Sequence, residues 1–224
     1  MNFKELGVSE EVVKALDGLH IKEPTVIQQK AIPLVKEGKD VIGMSRTGSG
    51  KTAAFGIPLV EKIDPSKGLQ ALILAPTREL AVQIAGEIKK FSRYKECFVA
   101  TIYGGVGYEN QIEDAKKAHV VVGTPGRVLD HVNRRTINFS KVETFILDEA
   151  DKMVDMGFIE DIEEILKGVP QDRQMVLFGA TLSSEIEHLK NAYMNNPVEA
   201  EAALHVKKDL LEQGFYNTKP NEES

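Results

Sequence analysis

Short apolar runs alternate with amphipathic stretches along this chain, and that alternation constrains its fold more than any other feature. The runs cover residues 41–44, 71–75, 98–103, 120–123, 145–147 and 175–178. Each is β-branched or apolar, which predicts buried parallel strands. Helical periodicity fills the intervals, over 10–19, 26–36, 51–63, 79–91, 108–117, 127–133, 158–167 and 184–192. Repeated βα units predict an α/β fold: an open, doubly wound, mostly parallel sheet with helices on both faces.

The length suits one such domain. A chain of 224 residues with 42% hydrophobic content can bury a substantial core. Residues 1–200 are expected to form it. Residues 201–224 form a terminal segment that turns polar from Gly214 and contains Pro220, as a linker would. The 34 acidic against 28 basic residues give a net charge of -6, which excludes a protein that coats nucleic acid by bulk attraction. Any nucleic-acid contact must be local. A lone Cys97 makes no internal disulfide and suits a reducing compartment, so a cytoplasmic address is expected. The first residues carry no secretory pattern, no window has the length of a membrane span, and no heptad run argues for coiled-coil assembly, so a monomer is expected.

Directly behind the first strand stands Ser45-Arg46-Thr47-Gly48-Ser49-Gly50-Lys51-Thr52, a phosphate-loop pattern with Ser45 where the first glycine is usual. In such a loop, glycines turn backbone N–H groups around phosphate oxygens. Lys51 adds a compact positive charge and Thr52 a hydroxyl for Mg2+. The bland alternative is a Gly/Ser turn that opens a helix. Asp148 ends a predicted strand, where α/β sheets bind ligands, and Glu149 follows it. Asp148 suits a magnesium site, and Glu149 suits a base that orients and deprotonates water. Alternatively, Asp148, Glu149 and Asp151 solvate a turn and favour a helix N-terminus.

With Asp148-Glu149-Ala150-Asp151 in place, the chain over roughly Phe3 to Pro197 resembles the first RecA-like domain of a DEAD-box RNA helicase. Further stretches agree in the same order: Pro24 to Gln28, the phosphate loop, Pro76-Thr77-Arg78-Glu79-Leu80, Gly104-Gly105, Thr124-Pro125-Gly126-Arg127, the acidic motif, and Gly179-Ala180-Thr181. The resemblance implies ATP with Mg2+ as the bound nucleotide, Gln28 reading the adenine edge, and Phe3 helping to enclose the base. It also implies that Pro76, Thr77, Arg78, Gly104, Gly105, Thr124, Pro125, Gly126 and Arg127 track a single RNA strand by its backbone, without sequence preference. Taken alone, Gln28 is an ordinary helix residue, and the Thr-Pro-Gly and Pro-Thr steps are structural punctuation.

Two departures stand out. His20-Ile21 occupies the place of the family's usual Gly-aromatic pair, which removes a flat stacking surface for adenine. Gly179-Ala180-Thr181 replaces Ser-Ala-Thr, so Asp151 is expected to lose one partner and the coupling of ATP turnover to strand separation to weaken. Family members also carry a second RecA-like domain whose arginines complete the ATP site, and no second motif set is found here. The chain therefore reads as an N-terminal half that hydrolyses ATP very poorly alone. Competing readings are an ATP-gated RNA clamp, in which locking onto RNA matters more than unwinding, and an unrelated phosphate-loop enzyme such as a small-molecule kinase. The five histidines show no ligand spacing, Cys97 reads as structural, and the Arg134-Arg135 pair reads as a solvated helix end or a supplementary RNA contact.

Overall fold

A computed structural model describes residues 1–202. The seven strands are β1 (Val41–Met44), β2 (Ala71–Leu74), β3 (Val99–Ile102), β4 (Val120–Gly123), β5 (Thr144–Leu147), β6 (Gln174–Gly179) and β7 (Val198–Glu201). They form one sheet in the order β3-β4-β2-β5-β6-β1-β7, and every pairing is parallel. The helices are α1 (Glu10–Gly18), α2 (Val26–Lys36), α3 (Lys51–Lys62), α4 (Arg78–Phe91), α5 (Tyr108–Lys117), α6 (Pro125–Arg134), α7 (Ala150–Asp155), α8 (Ile159–Lys167) and α9 (Ser184–Tyr193).

Apolar runs without polar alternation are what a sheet covered on both faces requires, because successive side chains point to opposite sides. Val41, Ile73, Val122, Ile146, Val176 and Phe178 join one core cluster with residues of α1 to α4. Ile42, Leu72, Leu74, Val121, Phe145, Met175 and Leu177 join a second with residues of α6 to α9. Close packing leaves no room for a side chain at Gly43, whose missing Cβ would lie 2.2 Å from the Phe178 ring.

Two elements were not anticipated. Helix α7 is only six residues long and starts directly after the acidic motif. Strand β7 (VEAE) buries only Ala200, and its apolar content alone does not announce a strand. Tertiary contacts form it. Asp40 accepts from Met175 N (2.8 Å) and Asn195 N (2.6 Å), its carbonyl accepts from Val198 N (2.9 Å), and Lys30 donates to the Glu201 carbonyl. The strand runs one residue past the expected domain edge at 200. The rest of the expected terminal segment and His205 lie outside the described residues. Among the described residues no helix is long and apolar enough to cross a membrane.

Candidate functional site

In an all-parallel sheet the strand C-termini share one rim, and all of the predicted motifs except Pro24 to Gln28 lie there. The order of strands sorts them. Behind β5, β6 and β1 lie the acidic motif, Gly179-Ala180-Thr181 and the phosphate loop; behind β3, β4 and β2 lie Gly104-Gly105, Thr124 to Arg127 and Pro76 to Arg78. One sheet edge thus carries two adjacent groups of candidates.

The first group converges on Lys51, the opening residue of α3. Its ammonium lies 3.3 Å from Asp148 Oδ1 and 3.2 Å from Glu149 Oε1, with all three residues buried. Asp148 is held in place by β5, and its N–H donates to Leu74 O (3.0 Å). Burial pushes the Asp148 carboxyl above the usual carboxylate range, and Lys51 offsets only part of that. For Glu149 burial pushes the same way, but Lys152 at 2.9 Å and Lys51 outweigh it, so its pKa lies below the ordinary value. Glu149 has a left-handed backbone (φ 52, ψ 49), an uncommon conformation for a non-glycine residue. Lys152 is a candidate site residue that motif reading missed. Its position three residues after Glu149, at a helix start, was the available signal.

Among the described residues, Asp148 Oδ2, Ser45 Oγ and Ser49 Oγ are buried without a hydrogen-bond partner. A buried carboxylate oxygen with nothing to bind is costly unless a cation or donor arrives. Magnesium takes few protein ligands and keeps substrate phosphates and water in its shell, so this donor set fits Mg2+, with Asp148 and the half-buried Thr52 as the residues to hold it.

The loop itself shows which glycines matter. Gly48 and Gly50 both have φ near 82, in the left-handed region. Ser45 is not among the positive-φ residues, so the missing first glycine costs no strain there; its N–H donates to Gly179 O (3.1 Å). Arg46 and Thr47 are exposed on the loop. A Cβ at Gly50 would lie 2.5 Å from Gln28 Nε2. Gln28 Nε2 donates to Gly50 O (3.0 Å), and its Oε1 accepts from Thr25 N (3.0 Å) in a capping box at the start of α2. One N–H and one lone pair of the amide remain. Phe3 is 3% exposed inside the first core cluster, so its ring offers little surface to a base. His20 has φ 60, which explains why a glycine suits that position, and Ile21 packs against the same cluster.

Asp151 keeps more partners than the loss of a serine suggested. Ala180 N donates to its Oδ2 at 3.2 Å, and Thr181 Oγ1 lies at 3.5 Å. Both donors address Oδ2, and no hydroxyl at position 179 reaches Oδ1.

In the second group, Thr77 caps α4 by accepting from Leu80 N (3.2 Å), and Thr124 and Pro125 start α6. Pro76 and Pro125 are buried, whereas Thr77, Arg78, Gly104, Gly105 and Gly126 are exposed. Gly105 has φ 85. Arg78 lies over the Tyr103 ring at 4.5 Å, and Arg127 donates to Val106 O (2.8 Å) while lying 4.1 Å from the Tyr108 ring centroid. The two tyrosines were not anticipated. Elsewhere, burial pushes the Cys97 thiol up to about 11, which suits a structural role. His119 and His131 are buried, and His20 and His188 are exposed.

The DEAD/DEAH box helicase family matches residues 25–189, most of the chain. The chain belongs to that family. It is 52% identical over 197 residues to the DEAD-box ATP-dependent RNA helicase CshA of Geobacillus kaustophilus, covering 87% of this chain and 42% of that protein. It is also 52% identical to the ATP-dependent RNA helicase CshA of Listeria monocytogenes, covering 87% of this chain and 38% of the relative. The chain thus spans about two fifths of the length of these relatives. Among solved structures, a DEAD box protein from the hyperthermophile Methanococcus jannaschii superposes with a TM-score of 0.89 at 46% identity, covering 91% of this chain and 56% of that one. A hypothetical ATP-dependent RNA helicase from Sulfolobus tokodaii superposes with a TM-score of 0.81 at 41% identity, covering 87% and 57%. The RecA-like α/β architecture of DEAD-box proteins is the fold of this chain.

Proposed function

We propose that this chain is the nucleotide-binding domain of an ATP-dependent RNA helicase. It would hold ATP with Mg2+ at the β5-β6-β1 part of the rim, and the backbone of single-stranded RNA at the β3-β4-β2 part. The observation that carries this reading is the Lys51 ammonium between two buried carboxylates, beside an Asp148 oxygen without a partner. Loop N–H groups and the N-terminus of α3 suit phosphate oxygens, and Lys51 adds charge to them. The free N–H and lone pair of Gln28 suit the adenine edge. Mg2+ bound by Asp148 and Thr52 supplies charge neutralisation at the phosphates. Glu149, held ionised by two lysines, accepts a proton from the attacking water.

Exposed backbone at Gly104 and Gly105, with the Thr77, Arg78, Thr124 and Arg127 side chains, suits sugar-phosphate contacts and carries little base information. That reconciles RNA binding with a net charge of -6. A second RecA-like domain is the expected partner, since in the family its arginines complete the ATP site. Such arginines are worth about 10³–10⁵ in rate, so these 224 residues alone should turn over very slowly. The test is ATP hydrolysis by the complete polypeptide with and without generic RNA. Stimulation by RNA is the expected result. RNA-independent transfer of phosphate to a metabolite would point to a small-molecule kinase instead.

Gly179 favours a second reading, an ATP-gated RNA clamp without processive unwinding. A Cβ there would lie 3.2 Å from Asp151 Oδ1, so a serine hydroxyl is within reach of that carboxylate. Gly179→Ser is expected to raise strand separation per ATP consumed several-fold, by about 1 kcal/mol of added hydrogen bonding, with ATP affinity unchanged. Strand-displacement and hydrolysis assays on the same preparation measure this, and unchanged separation counts against the coupling role.

A further inference from the structure

Tyr108, the first residue of α5, gathers the second group of candidates around its ring. Arg127 lies 4.1 Å and Arg134 4.3 Å from the ring centroid, His131 meets the ring edge-on at 5.3 Å, and the hydroxyl donates to Asp130 Oδ2 at 2.9 Å. Arg127 and Arg134 are seven residues apart on α6, two helical turns, and so share a face. Helical side chains lean toward the helix N-terminus, which for α6 is the motif rim, so Arg134 reaches back toward Arg127.

The two guanidinium groups differ in what they have left to give. Arg127 spends Nη1 on Val106 O (2.8 Å) and on Gln111 Oε1 (3.3 Å). The exposed Arg134 guanidinium makes no hydrogen bond or ion pair with any described residue. An arginine stacked on an aromatic ring keeps its in-plane N–H donors, which suits phosphate. The nearby Asp130 commits one oxygen to the Tyr108 hydroxyl.

We infer that Arg134 is a further RNA-backbone contact, and that Tyr108 is the positioning residue that holds Arg134 in register with Arg127 along one strand. This rests on the RNA-binding reading above and extends its track along α6. Nothing in the motif pattern singles out Tyr108, and by sequence the pair Arg134-Arg135 reads equally as a solvated helix end or a supplementary RNA contact. The shared ring makes the difference.

The test is the salt dependence of binding to a fluorescent uridine decamer, followed by anisotropy on the complete polypeptide with Mg2+ and a non-hydrolysable ATP analogue between about 50 and 200 mM KCl. One lost phosphate contact on a single strand flattens the slope of log K against log salt by about 0.7, which amounts to roughly five-fold weaker binding at 0.1 M. Arg134→Gln is expected to show that change and Arg134→Lys to keep the parent slope. Tyr108→Leu is expected to keep both charges and to weaken binding with a smaller change of slope. Weaker binding by Arg134→Gln at an unaltered slope would mean a structural role and overturn the inference. So would a parent-like Arg134→Gln beside an Arg127→Gln that loses affinity, a result that leaves the broader reading intact. A parent protein with no affinity for the decamer overturns both.

Discussion

Lys51→Met is expected to destabilise the chain by about 3–5 kcal/mol at neutral pH, a fall of roughly 6–20 °C in Tm. Methionine replaces most of the volume but none of the charge. Asp148 is fully buried and, among the described residues, Lys51 is the only cation paired with it. Removing the cation leaves two carboxylates beside each other in low dielectric, which is the costly way to break a buried pair. The loss has a defined pH dependence. The folded-state pKa of Asp148 is raised, so the native state binds more protons than the unfolded chain between the ordinary carboxylate pKa of 3.8 and the raised value. Stability contributed by this group is therefore present at acid pH and falls as pH rises through that window. Without Lys51 the raised value climbs further, the window widens upward, and the deficit against the parent should shrink at acid pH and be largest at neutral pH. Thermal unfolding of both proteins at mildly acid and neutral pH, without nucleotide, measures this. An equal deficit at both would show that charge burial is not its cause.

Glu149→Gln should reduce RNA-stimulated ATP hydrolysis by about 10²–10⁴-fold while leaving nucleotide affinity within about three-fold. The amide keeps the shape of the side chain and takes away its capacity to accept a proton. Lys51 and Lys152 hold the Glu149 carboxylate below its usual pKa against the opposing effect of burial, so at neutral pH it is a ready acceptor. Binding should persist because Lys51 retains Asp148 at 3.3 Å and the loop glycines are untouched. Single-turnover hydrolysis and equilibrium nucleotide binding on the complete polypeptide separate the two effects. Hydrolysis within ten-fold of the parent would remove Glu149 from the role of base.

Much of this architecture was legible from local pattern. Runs such as Val120-Val121-Val122 lack polar alternation because both faces of the sheet are covered, and hydrophobicity alone reveals that. The order of motifs placed the phosphate loop and the acidic turn at strand ends, where they are found. Strand β7 escaped because two of its four residues are glutamates and its pairing is imposed by β1, with Asp40 fixing its approach. Helix α7 escaped because six residues give too little periodicity to read. The partners that Asp151 keeps without the serine hydroxyl escaped for a related reason. A motif records side chains, and the donor nearest Asp151 is the backbone N–H of Ala180.

The sequence by itself determined the layer arrangement, the place of the glycine-rich loop between β1 and α3, and the family, because these follow from residue periodicity and from glycines and charges at fixed spacing. Only the tertiary structure decided that Lys51 bridges Asp148 and Glu149, that Lys152 restrains Glu149, that Phe3 is core, and that Arg127 and Arg134 share Tyr108. Those facts depend on distances of a few ångströms between residues as far as 98 positions apart, set by which strands are neighbours in the sheet. Strand order arises from packing of the whole chain, and no local stretch encodes it.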